Sequence, residues 1–191
     1  MLVGVGVGVV VLGGAAVAFG PGLYADWSNR AAAEEPTLDA SSGDGATLDP
    51  ADLAGAWTVG DGSYAGYRVH EVLQGEDVTV TGRTEEVTGS FTVADGALTA
   101  ATIEVDMASV ATDEPPRDAY FRGDALEGGT YPTATFELTS PVDLPTGSGD
   151  VELAGDLTIH GVTQAVTVEG LVGPTADGGQ VVGSVPLAGA G

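Results

Sequence analysis

Arg117, Asp118, Arg122 and Asp124 crowd into one short stretch, with Tyr120 and Phe121 between the arginines. The chain has only five basic residues against 28 acidic ones, so two arginines this close stand out. A guanidinium presents a fork of donors that fits a carboxylate or a phosphate. Two uses follow. The charges can pair with one another as a clamp that pins the segment, which contributes little where it is exposed. Alternatively, Arg117, Tyr120, Phe121 and Arg122 can meet the polar head of a ligand. Other chemistry is sparse. His70 and His160 do not sit at metal-ligand spacing, and there is no cysteine. Asp113 and Glu114 stand just before Pro115-Pro116, where acidic residues favour the start of a helix. Neither Ser63 nor Ser109 has a spacing that pairs it with a histidine. No G-x-S-x-G, phosphate loop, dinucleotide fingerprint or H-E-x-x-H occurs. The reading is not an enzyme. A lipid-acting hydrolase or isomerase that uses His160 or Arg117 is the last-ranked alternative. No cofactor or metal is expected.

These residues interrupt a long series of strand-like segments. From Ala56 onward apolar residues recur with period two, the strand signal. Tyr67 and Val69 share a face, as do Phe91 and Val93, then Ala101, Ile103, Val105 and Met107. Ala134, Phe136 and Leu138 follow, then Val151 and Leu153, Leu157 and Ile159, Val166, Val168 and Val172, and finally Val181, Val185 and Leu187. Turn signals such as Asp95-Gly96 and Asp177-Gly178-Gly179 separate them. About eight strands with one apolar face each, and no crossover helices, predict an all-β antiparallel barrel or sandwich. A barrel of about eight strands can fill its interior with side chains or hold one small ligand. The interior-facing residues Tyr67, Val69, Phe91, Val93, Ile103, Val105, Phe136, Leu138, Leu157 and Ile159 are the candidate apolar lining, with ordinary core packing as the rival for each. Arg117–Arg122 predicts one or two helical turns, and Gly128-Gly129 and Pro132 return the chain to a strand at Thr133.

The net charge is −23 and no lysine is present, which excludes a nucleic-acid partner and docking on anionic lipid. Residues 1–25 carry no charge. As a helix they would span roughly 37 Å, enough for a hydrocarbon core of ~30 Å. An N-terminal transmembrane helix is therefore expected, with a signal peptide cleaved after Ala16-Val17-Ala18 as the alternative. The domain would then be extracytoplasmic, either on a single-pass anchor or secreted or periplasmic. Residues 26–54 read as an acidic flexible linker, with a short helix at Pro50–Leu53 as an option. Residues 55–191 form the folded domain.

RDAYFRGDALEGGTYPTATF at Arg117–Phe136 and GDLTIHGVTQAVTV at Gly155–Val168 resemble the YceI-like family of polyisoprenoid-binding proteins. WTVGDGS at Trp57, GYRVHEVL at Gly66 and VTGSFTV at Val87 extend the similarity over about Gly55–Leu187. The resemblance implies an extended lipocalin-like antiparallel β-barrel that holds an isoprenoid or quinone-like amphipathic lipid in an apolar interior, with no covalent chemistry. It also implies a secreted, periplasmic or membrane-anchored setting. Tyr120 stands where many members carry His. After Leu187 only AGAG follows, where members continue to a final strand, so an unpaired edge is expected there. A ligand-free structural or stress-response surface domain is the alternative to binding, transport or sequestration of the lipid.

Overall fold

The computed structural model describes residues 2–3, 5–12, 29–30, 32, 36–38, 49–73, 75–112, 114–120, 122–123, 127–175 and 178–188. In chain order the strands are β1 (Leu2–Val3), β2 (Val5–Leu12), β3 (Gly55–Val59), β4 (Tyr64–Leu73), β5 (Glu76–Thr84), β6 (Val87–Ala94) and β7 (Ala97–Asp106). A 3-10 turn at Met107–Ser109 and helix α1 (Pro115–Tyr120) come next. Strands β8 (Thr133–Leu138), β9 (Val142–Asp143), β10 (Gly149–Ile159), β11 (Val162–Thr175), β12 (Gly178–Ser184) and β13 (Pro186–Ala188) complete the series. All belong to one sheet, ordered β1-β3-β6-β7-β8-β10-β11-β12-β2-β4-β5, with β13 beside β2 and β9 beside β7.

The expected alternation sets the buried faces. Along β10, Val151, Leu153 and Leu157 are buried, and between them stand exposed Glu152 and half-buried Asp156. Trp57 on β3 and Val172 on β11 belong to one core cluster, although four strands separate theirs in the sheet order. A flat sheet with strands ~4.8 Å apart cannot bring them together. The sheet therefore curls into a half-barrel around a core drawn from β3, β6, β7, β8, β10 and β11.

A second, smaller core lies under the β4–β5 hairpin, where Tyr67, Val78, Val80 and Val110 are buried and Val69 and Met107 pack on them. Tyr67 and Val69 were expected in the barrel interior; they belong to this cluster instead. The physical reason is pairing. Residues Ala65–Leu73 of β4 pair antiparallel with Glu76–Thr84 of β5, and the hairpin reaches the rest of the sheet through β2. Its apolar face is closed by Val110 and Met107, on the segment that follows β7. The Tyr67 ring covers Gly82 opposite it, where a Cβ would stand 2.4 Å from the ring.

The N-terminal expectation is corrected. Val5–Leu12 is a strand, not part of a helix. Uncharged length alone does not make a helix. Glycine costs about 1 kcal/mol per residue in a helix interior, and valine loses side-chain freedom there. Val-Gly alternation suits an extended chain. Among the described residues no helix is long and apolar enough to cross a membrane. The remainder of the expected span, residues 13–25, lies outside the described residues. Strand β2 runs parallel to both β12 and β4 and joins them, with Val181 opposite Val5 and Tyr64 opposite Gly6. The edge expected to be open beside the last strands is thus paired, and β13 pairs β2 as well.

Parts of the expected linker make specific contacts. The Asn29 side chain donates to the Asp77 carbonyl at 2.9 Å and accepts from the Thr79 N–H at 2.8 Å. It satisfies two backbone groups on the outer edge of β5, as one residue of a further strand would. Pro50–Leu53 forms a turn, closed by Leu53 N–H to the Pro50 carbonyl at 3.3 Å.

Candidate functional site

The curled sheet encloses an apolar pocket with a cavity volume of about 90 Å³, partly open to solvent. Trp57 lines it from β3, Phe91 and Val93 from β6, and Leu98, Ala101 and Ile103 from β7. Phe136 on β8, Val151 and Leu153 on β10, and Val168, Val172 and Gly173 on β11 form the facing wall. Gly179, Gln180, Val181 and Gly183 on β12 complete it, with Leu53 and Leu144 from the connecting segments. Gln180 carries the only polar side chain on this wall among the described residues.

Local chemistry explains several of these placements. The Trp57 indole N–H donates to the Leu53 carbonyl at 2.7 Å, which fixes the Pro50–Leu53 turn against the pocket. The Phe136 ring lies over Gly155 on the neighbouring strand, where a Cβ would come within 2.4 Å of the ring and 2.6 Å of the Glu137 carbonyl oxygen. Gly155→Ala therefore forces the ring and backbone apart. The expected cost is about 1–3 kcal/mol of stability, the usual range for overpacking, read as a lower denaturant midpoint with an unchanged slope. Leu38 reaches the wall from outside the strands: its Cδ1 stands 2.8 Å from where a Gly173 Cβ would be.

The pocket lies toward one end of the sheet. Leu144 N–H donates to the Gly96 carbonyl at 3.0 Å, and Pro50 stands against Gly96, so the turns that carry Leu53, Gly96 and Leu144 meet there. The β11–β12 connection leaves from the same end, since Gly149 pairs with Val172 and Thr175 with Gly178. Asp106, Thr133 and the His160-Gly161 turn lie at the opposite end.

The Arg117–Tyr131 segment belongs to that opposite end, because it links the finish of β7 to the start of β8. Helix α1 forms as expected. Its anchor is Asp118, 6% exposed, whose carboxylate accepts from the Thr112 N–H at 2.8 Å and from Thr112 Oγ1 at 2.7 Å. Arg117 approaches Glu114 at 3.8 Å across one helical turn, a partly exposed pair that contributes little. Tyr120 ends α1, while Phe121 and Asp124 lie outside the described residues. Gly128 N–H donates to the Arg122 carbonyl at 2.7 Å. Further on, Glu127 Oε2 lies 3.0 Å from His160 Nε2, and the Tyr131 ring meets the imidazole edge-on at 4.7 Å. His160 and Gly161 both have left-handed φ, +53° and +70°, as a two-residue turn between Ile159 and Val162 requires. A Cβ on Gly161 would strike the Tyr131 ring at 2.5 Å.

The expected lining is thus divided. Phe91, Val93, Ile103 and Phe136 line the pocket. Val105, Leu138, Leu157 and Ile159 share its core cluster without lining it, and Tyr67 and Val69 sit in the other cluster. Neither Arg117 nor Arg122 lines the pocket. Leu53, Leu144, Gln180 and the wall glycines had no place in the expected site. Val151, Leu153, Val168 and Val172 carried the right signal, an apolar strand face. Among the described residues no group of three or more His, Asp or Glu side chains could hold a metal ion.

An all-β half-barrel curled around an apolar pocket is a scaffold of the lipocalin-like kind. Residues 58–188, more than half of the chain, match the family model described as the YceI-like domain, and the chain belongs to that family. A UPF0312 protein of Vibrio parahaemolyticus is 41% identical over 68 residues, 35% of this chain and 35% of that protein. A UPF0312 protein of Vibrio vulnificus is 34% identical over 112 residues, 56% of this chain and 58% of that protein. The matched parts therefore span between about a third and three fifths of these relatives. The solved structure of a polyisoprenoid binding domain from Saccharophagus degradans, implicated in plant cell wall breakdown, aligns at 25% identity and a TM-score of 0.41. That alignment covers 52% of this chain and 57% of the other.

Proposed function

We propose that this chain binds an isoprenoid or similar amphipathic lipid, with the tail in the pocket between β3 and β12, and that it carries or sequesters this lipid without altering it. The observation that supports the reading is the pocket wall, built of aliphatic, aromatic and glycine residues, with Gln180 the one polar side chain on it among the described residues. Ligand pockets are concave and mostly apolar. Each methylene moved from water into such a space contributes roughly 0.8 kcal/mol, so an apolar tail gains affinity without any ion pair. Membership of the YceI-like family supports an isoprenoid as the lipid. The same reading puts the domain outside the cytoplasm, as the resemblance implies. Titration of the full chain with a fluorescent apolar probe tests it. Saturable one-to-one binding, reversed by a C15 isoprenoid alcohol, is expected; a linear, non-saturating signal would exclude it.

A further inference from the structure

The turns that reach the pocket wall, and the segment of Arg117 and Arg122, lie at opposite ends of the sheet. At that end, three of the converging segments carry exposed aspartates close to lining residues. Asp52 precedes Leu53, Asp143 precedes Leu144, Asp150 precedes Val151, and Asp95 stands two residues after Val93. All four are exposed. Residues 49–54, 93–98, 142–151 and 172–181 contain no lysine, arginine or histidine. All five arginines stand on other segments. Arg117 and Arg122 belong to the segment joining β7 to β8 at the far end. Arg83 pairs through its backbone with Ala111, and its guanidinium covers the Tyr64 ring at 3.4 Å.

We propose that this aspartate-flanked mouth selects apolar ligands by the charge of their heads, taking isoprenoids with an uncharged head and disfavouring those that end in a phosphate or diphosphate. The proposal rests on the lipid-binding reading above and adds the class of head group to it. A tail seated against Ile103 and Phe136 places its head among Asp52, Asp95, Asp143 and Asp150. An uncharged hydroxyl or carbonyl head can stay solvated there at no electrostatic cost. A diphosphate brings two or more negative charges within the Debye length of ~10 Å at 0.1 M salt, where repulsion is not screened out. The segments that carry these aspartates hold no guanidinium to neutralise it, and the chain's net charge of −23 adds in the same sense.

The test compares farnesol with farnesyl diphosphate, two probes with the same C15 tail, against the full chain at low and high salt. The comparison is repeated with the quadruple variant Asp52→Asn, Asp95→Asn, Asp143→Asn, Asp150→Asn. Asparagine tolerates the left-handed backbone of Asp95, φ +53°, so the turn is kept. The alcohol is expected to bind at least tenfold more tightly than the diphosphate at low salt. That ratio should shrink several-fold in 0.5 M salt, and likewise in the quadruple variant. A ratio near one, or a ratio that neither salt nor the variant moves, would overturn the assignment. If neither probe binds, the lipid-binding reading itself fails and the head-group assignment falls with it. Binding of the alcohol with the wrong ratio overturns the assignment alone.

Discussion

Ala101→Phe lowers the affinity for an apolar probe by about a thousandfold and leaves the fold intact. Ala101 is 5% exposed, sits on β7 and faces the pocket beside Ile103. A benzyl group grown from it enters free space rather than packed neighbours. It occupies the room of about five ligand methylenes, which at ~0.8 kcal/mol each amounts to about 4 kcal/mol. Each 1.4 kcal/mol is a factor of ten, which gives the thousandfold loss. Filling a cavity with apolar atoms does not destabilise the host and often stabilises it. Calorimetric or denaturant unfolding of the variant is therefore expected at or above the parent midpoint. A variant that unfolds several degrees lower would show that the space beside Ala101 is ordinary packed core, and the pocket would lose its status as a site.

The second large effect concerns stability. Asp118→Ala is expected to cost about 3 kcal/mol. The carboxylate is buried and accepts both the backbone N–H and the hydroxyl of Thr112. Hydrogen bonds to a charged group contribute roughly 1.5–3 kcal/mol, and their removal leaves two donors without their acceptor. Asp118→Asn keeps one acceptor oxygen in nearly the same place and should cost about half as much. Urea unfolding of the two variants beside the parent decides the point. Equal midpoints for Asp118→Ala and the parent would mean that Thr112 finds water instead and that α1 is not anchored through this pair. Binding of the C15 alcohol should survive in Asp118→Asn, because Asp118 does not line the pocket.

Much of this was legible in the sequence, and the misreadings have physical causes. Period-two alternation marks strands such as β5, β8 and β10 because one face of each is buried, and the paired prolines before Arg117 mark the start of α1. The lining residues Phe91, Val93, Ile103 and Phe136 follow from alternation alone. Tyr67 and Val69 alternate just as well, but alternation says which residues share a face and not which core that face meets. Here β4 turns back on β5, and Val110 closes a separate cluster. Leu144 and Leu53 were invisible for a related reason. They lie on connecting segments that reach the pocket through long-range register, Ala97 against Asp143 and Gly55 against Val93. The arginine-rich stretch looked like a mouth because it concentrates charge and aromatics. The topology puts it at the end where β7 finishes and β8 begins, away from the turns that carry Leu53 and Leu144. The N-terminal residues satisfied a hydropathy rule that does not weigh glycine and valine against helix, so the Val5–Leu12 strand was missed.

Native mass spectrometry of the full chain, released gently after incubation with a mixed isoprenoid extract, tests the central claim most directly. The account predicts one added mass per chain, that of an isoprenoid with an uncharged head, and its absence from Ala101→Phe. A spectrum showing the bare chain alone, in parent and variant alike, would contradict it.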